Sequence, residues 1–99
     1  MKNPLIFEPK SIRRSRAECK GKKAYYKYLR NEASNYIKRK AVREFVLKRD
    51  GYKCKICGST ENLQIDHIKS VRRYGFTMNV NTIDNLQVLC RSCNAGKEV

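Results

Sequence analysis

Apolar residues recur every four positions between 32 and 49: Ala33, Ile37, Ala41 and Phe45, with Val42 and Val46 alongside. That period predicts an amphipathic helix over 32–49. Lys38, Arg39, Lys40, Arg43, Lys48 and Arg49 fall on its other faces. Asn31 or Ser34 is the candidate cap at its start. Asp50-Gly51 is a stop signal, because Gly51 accepts the left-handed backbone that ends many helices. After Gly51 the period changes. Leu63-Gln64-Ile65-Asp66 and Leu86-Gln87-Val88-Leu89 alternate as short strands do. The stretch between them, 69–84, is polar. From Arg91 there is room for a short last helix. Upstream, Pro4 and Pro9 break regular structure over 1–12, which reads as an arm or a tail. Gly21 interrupts any helix in 13–30. The pattern is that of an α+β chain.

Charge divides this picture in two. The 99 residues carry 23 Lys+Arg against 9 Asp+Glu, a net charge of +14. Residues 1–49 hold 16 basic and 4 acidic side chains, and residues 50–99 hold 7 and 5. The expected organisation is a basic N-terminal extension, 1–31, and a functional domain, 32–99, that includes its leading helix. So large an excess implies a polyanionic partner, with nucleic acid the commonest. An acidic membrane fits less well, because the basic segment lacks apolar residues opposite its charges; packing on RNA, as in ribosomal proteins, is a third option. Tyr25, Tyr26 and Tyr28 interleave with Lys22, Lys23, Lys27 and Arg30, a mixture that suits phosphate and base contact. It equally suits a solvated face whose tyrosines pack on the next helix. No apolar run approaches the roughly 20 residues of a membrane span, and residues 1–12 lack a signal-peptide core. The expectation is no membrane and a cytoplasmic location.

A domain of this size buries little apolar surface and often needs a staple. Five cysteines are present. Four of them form two pairs, Cys54-Lys55-Ile56-Cys57 and Cys90-Arg91-Ser92-Cys93. Each pair makes a zinc knuckle, two thiolates on one turn with backbone amides directed at the sulfurs. Two knuckles complete a tetrahedral four-sulfur shell. Gly58 eases the first turn. An odd cysteine count argues against a disulfide scaffold, a dithiol redox motif lacks its βαβ surroundings, and iron–sulfur binding is a minor alternative. Cys19 reads as an incidental thiol. Four thiolates leave no open coordination position, so this zinc holds the fold and does no chemistry itself. Thirty-two residues separate the pairs, where a plain zinc ribbon has about 15 to 20. The insert holds His67, the only histidine.

Asp66-His67 closes the first strand, Asp84-Asn85 opens the second, and Asn94 follows Cys93. With Cys54-x-x-Cys57 before them and Lys97 after, in that order, Tyr52 to Lys97 resembles the HNH endonucleases. The helix end Val46-Leu47-Lys48-Arg49-Asp50-Gly51 also looks like the lead-in to the first knuckle of that family. The resemblance implies a ββα-metal HNH core with two zinc knuckles, preceded by a basic amphipathic helix. It implies His67 as general base and Asn85 as the residue that holds the loop near it. It makes Asp66 and Asn94 ligands of a catalytic Mg²⁺ or Mn²⁺, beside the structural Zn²⁺ of Cys54, Cys57, Cys90 and Cys93. The third motif position is Asn94 rather than histidine, and a neutral amide binds a cation more weakly than a carboxylate does. Asn94 is expected at the start of the last helix, with Lys97 on nearly the same face.

The chemistry agrees with these roles. Phosphodiester hydrolysis needs an activated water, and an imidazole with an ordinary pKa near 6.5 is largely neutral at cellular pH. A hard divalent cation stabilises the phosphate and its leaving oxygen. Adjacent strand residues point to opposite faces, so Asp66 and His67 share a site only where the strand ends or bends. Arg72, Arg73 and Lys97 are the expected phosphate contacts of the domain, and Arg13, Arg14, Lys22 and Lys23 those of the extension. The expected partner is double-stranded DNA, nicked or cut to 5′-phosphate and 3′-hydroxyl ends, in a bacterial or phage-infected cell. Cutting both strands calls for two copies of so small a domain, or for a guiding partner protein. Two other readings compete: a non-catalytic zinc-ribbon protein that binds nucleic acid, and a degenerate HNH domain kept for interaction. The first leaves Asp66-His67 and Asn94 unexplained.

Overall fold

In a computed structural model of the chain, residues 3–8 and 18–97 are described. Two helices come first, α1 (Lys22–Ile37) and α2 (Lys40–Arg49). Strand β1 (Leu63–His67) follows, then the single-turn helix α3 (Val71–Tyr74), a 3₁₀ turn at Ile83–Asn85, strand β2 (Leu86–Cys90) and the short helix α4 (Arg91–Ala95). The architecture is the α+β one that the hydropathy pattern predicts, with a helix leading into the second half.

The single helix expected over 32–49 is two. Arg39 takes an extended conformation, φ −61° and ψ 128°, and starts α2 without a side-chain cap. Helix α1 begins earlier than expected, after Gly21 at φ +104°, and runs through Asn31 and Ser34 without using either as a cap. No glycine or proline marks the break. Its cause lies elsewhere in the chain: the Arg39 guanidinium donates to the carbonyls of Pro4 (2.9 Å) and Ile6 (3.2 Å). The buried Tyr36 hydroxyl donates to the Leu5 carbonyl, and Phe7 meets the Tyr36 ring edge-on at 6.0 Å. Residues 3–8 are thus an arm seated on the α1–α2 corner. With the break, the buried positions become Leu29, Ala33 and Tyr36 on α1 and Val42 and Val46 on α2, while Phe45 is exposed.

Helix α2 ends as the Asp50-Gly51 signal predicts. Gly51 (φ +73°) and Tyr52 (φ +57°) are left-handed. Their N–H groups return to the carbonyls of Lys48 (3.2 Å) and Leu47 (2.9 Å), which closes the helix in a Schellman motif. Strands β1 and β2 pair antiparallel, Leu63 opposite Cys90 and His67 opposite Leu86. One face of the ribbon packs on the helices: Ile65, Leu86 and Val88 join Tyr36, Val42 and Val46 in the main core. Leu89 points the other way, into a small cluster with Cys54 and Cys90. A two-stranded ribbon is marginal alone; this one is covered by helices on one side and by the cysteine module on the other.

Arg49 and Asp50, which look like the end of a solvated helix, lock α2 to β2. Asp50 is buried, its Oδ2 accepts the Val88 N–H (3.0 Å), and the Arg49 Nε donates to its Oδ1 (2.9 Å). Arg49 also donates to the carbonyls of Ile83 (2.7 Å) and Leu86. Burial alone pushes the Asp50 carboxyl up, but the Arg49 guanidinium and the Val88 N–H outweigh it, and the group lies below its ordinary 3.8. Asp50→Ala is expected to cost about 2–3 kcal/mol by urea unfolding, because it strands a buried N–H and a partly covered cation. The sign with pH follows from the depressed value. The stabilisation is whole above 3.8 and is lost as pH falls through the lower folded value, so the variant gives a flatter acid limb.

Candidate functional site

The site is built on the two ends of the ribbon. At one end, the Cys54 N–H bonds to the Ser59 carbonyl (2.8 Å) and the Gly58 N–H to that of Cys54 (3.0 Å). Gly58 is left-handed at φ +77°, the conformation its place after the pair predicts. At the second pair Cys90 caps α4, and its sulfur accepts the Cys93 N–H at 3.5 Å. The ligand atoms of Cys54, Cys57, Cys90 and Cys93 all lie within 4.8 Å of one another. Cys57 Sγ and Cys90 Sγ are 3.6 Å apart. A disulfide needs about 2.05 Å. Four sulfurs at about 2.3 Å from one zinc sit about 3.8 Å apart. The group fits a four-coordinate zinc ion. The Cys57 backbone N–H, with those of Cys90 and Ile56, brings the Cys54 thiol down to about 6. The Cys90 thiol, followed by those of Cys54 and Cys57, holds Cys93 up to about 12. Metal binding therefore displaces protons from the group, and zinc affinity falls in acid.

At the other end lies a cleft of about 600 Å³, lined among others by Asp66, His67, Arg73, Asn94 and Lys97. Strand β1 stops at His67, so Asp66 and His67 reach the same cleft around the strand's end. His67 is largely buried, with its Nε2 3.1 Å from Asn81 Oδ1. An amide oxygen accepts and does not donate, so Nε2 carries the proton and Nδ1 keeps its lone pair. Burial pushes the His67 pKa below 6.5, and this outweighs the opposing effects of Asn81 and Asp66. The imidazole is neutral at neutral pH.

Asn85 is buried and ties the loop shut around this histidine. Its Oδ1 accepts the Lys69 N–H (2.8 Å), and its Nδ2 donates to the carbonyls of Lys69 (3.1 Å) and Val80 (2.9 Å). Its own carbonyl accepts the Ile68 N–H at 2.7 Å. Asn81, which the polar stretch did not single out, is buried at 2% exposure, and its N–H bonds Asn79 Oδ1 (3.0 Å). The local signal for it in the sequence is Asn79, because an asparagine oxygen that accepts the N–H two residues on makes an Asx turn.

These features converge with the pattern of the second half. The HNH endonuclease family model matches residues 54–99. The match covers the segment that holds the four cysteines, Asp66, His67, Asn85 and Asn94. Comparisons with curated proteins and with solved structures gave no match.

Within the matched segment two expectations change. Asn94 is the fourth residue of the five-residue α4, not its first; the helix starts at Arg91, capped by Cys90. Asn94 therefore does not stand at the helix N-terminus. Its side-chain Nδ2 donates to Gln64 Oε1 at 2.7 Å. Lys97 lies beyond the helix, past its cap Gly96. Its ammonium contacts Asp66 Oδ2 and the His67 carbonyl, with the Ile68 carbonyl at 3.4 Å. A carboxylate and two carbonyls around one positive charge form an all-oxygen set, the donor chemistry a hard divalent cation takes. The residues at Asp66 fit such a cation.

The remaining basic residues divide. Arg72 and Arg73 sit on α3, capped by the Ser70 hydroxyl (3.3 Å from the Arg73 N–H). Arg73 lines the cleft, while Arg72 shares a separate groove with Lys22, Lys23, Tyr26 and Phe76. Tyr25 and Tyr26 pack on Phe76, with centroids 5.4 and 6.4 Å away. Tyr25 and Tyr26 thus pack on the loop after α3 rather than on the next helix, and carry Lys22 and Lys23 to Arg72. Arg13 and Arg14 lie outside the described residues. Cys19 is an exposed free thiol. Among the described residues no helix is long and apolar enough to cross a membrane.

Proposed function

We propose that the chain is a divalent-metal-dependent endonuclease acting on double-stranded DNA, with zinc held by the four cysteines as a structural ion. The observation that carries this reading is His67, its Nε2 held 3.1 Å from Asn81 Oδ1, beside Asp66 in one cleft of the segment that matches the HNH family model. His67 takes a proton from water at Nδ1 as that water attacks phosphorus. The P–O3′ bond breaks, and the 3′ oxygen leaves and takes a proton from solvent. The products are a 5′-phosphate and a 3′-hydroxyl. Asp66 with Asn94 would hold Mg²⁺ or Mn²⁺, which as a Lewis acid supplies charge stabilisation at the phosphate and the departing oxygen. Asn85 and Asn81 keep the imidazole in place. Arg73 contacts phosphate near the scissile bond, while Lys22, Lys23 and Arg72 bind the flanking backbone, with Arg13 and Arg14 as further contacts.

The test is the chemistry of the ends. Supercoiled plasmid nicked by the protein in Mg²⁺ should be resealed by DNA ligase without prior phosphatase or kinase treatment. Nicks that ligase does not seal would contradict the proposed bond cleavage.

A further inference from the structure

The Lys97 ammonium is surrounded by oxygen atoms. It contacts Asp66 Oδ2 and the His67 carbonyl, and the Ile68 carbonyl is 3.4 Å away. The pair is shielded, with the Lys97 side chain 23% exposed and that of Asp66 16%. Gln87 Nε2 donates to the same carboxylate oxygen at 3.2 Å. That oxygen therefore already accepts two donors, one of them charged. A divalent cation that takes it meets an ammonium at ligand distance, and two positive charges so close repel strongly in a partly covered cleft. One must leave. Lys97 can, because it lies beyond Gly96 at the end of α4 on a flexible four-carbon stem.

We propose that Lys97 is a tethered competitor for the divalent cation at Asp66, and that metal binding releases its ammonium to phosphate. The inference rests on the divalent-cation reading above. It makes metal and DNA binding cooperative. Without metal, Asp66 neutralises Lys97. With metal, the cleft gains one free cation facing the nucleic acid. The competitor lowers apparent metal affinity by the fraction of time the pair is open. If the pair is closed about nine-tenths of the time, the loss is about tenfold.

The experiment measures Mn²⁺ binding to the zinc-loaded full chain by the electron paramagnetic resonance signal of free Mn²⁺. Lys97→Gln should bind Mn²⁺ about tenfold tighter than the unaltered protein. Asp66→Asn should abolish that site in both backgrounds. In a His67→Ala background, which is expected not to cleave, Mn²⁺ should steepen the salt dependence of duplex binding by about one phosphate contact. The further change Lys97→Gln should remove the difference. Equal or weaker Mn²⁺ binding by Lys97→Gln overturns the inference, and so does Mn²⁺ binding that survives Asp66→Asn. Plasmid nicking is read separately. Nicking with no change in Mn²⁺ affinity sinks the inference alone, and absence of nicking in any divalent cation sinks the nuclease reading.

Discussion

Cys90→Ser is expected to lose bound zinc, cooperative unfolding and nicking together. Cys90 does three things at once. It ends β2 opposite Leu63, it caps α4 through its sulfur, and it stands 3.6 Å from Cys57 Sγ. Structural zinc contributes roughly 10–16 kcal/mol in small zinc modules near neutral pH. A whole small domain is stable by only about 5–15 kcal/mol. The buried apolar residues at the cysteine end reduce to Leu89 beside the thiols, so nothing there replaces the ion. Removing one ligand therefore removes more than the domain can spare. Zinc content by mass spectrometry and a circular dichroism melt check this. A cooperative melt near that of the unaltered protein, with less than one zinc per chain, would refute the role given to the ion.

The second large effect separates chemistry from folding. His67→Ala is expected to lower nicking about 10²- to 10⁴-fold, the range of one acid–base group. Zinc should stay at one per chain, and stability should change by about 1 kcal/mol for the lost Asn81 contact. The pH profile of nicking by the unaltered protein carries the same information. Because burial holds the imidazole below 6.5, the rate should be level above that value. It should fall only as pH drops through the lower folded value, where the base becomes protonated. A rate that climbs through 6.5 toward a higher midpoint would argue for a different base.

What could be read from the residues, and what could not, follows from the range of the interactions involved. The two knuckles, the strand pair and the stop at Asp50-Gly51 depend on neighbours a few positions apart, so composition and spacing reveal them. The break at Lys38-Arg39 does not. It depends on carbonyls of Pro4 and Ile6, more than thirty residues away, while the period-four stripe runs through it undisturbed. Asp50 reads as a helix end and is also a buried acceptor for Val88, 38 positions on. The expectation for Asn94 and Lys97 takes the last helix to begin at Asn94 and to carry both residues, whereas it begins at Arg91. Its stop at Ala95 turns Asn94 to Gln64 and frees Lys97 to reach Asp66.

The proposed function divides the labour: zinc in the four-cysteine group holds the site, and a second cation with His67 performs the cleavage. The direct measurement is nicking of supercoiled plasmid by chain verified to hold one zinc, with Mg²⁺ added or omitted, beside His67→Ala at the same zinc content. Nicks are expected only when Mg²⁺ and His67 are both present. Equal nicking without added divalent cation, or by His67→Ala, would contradict it.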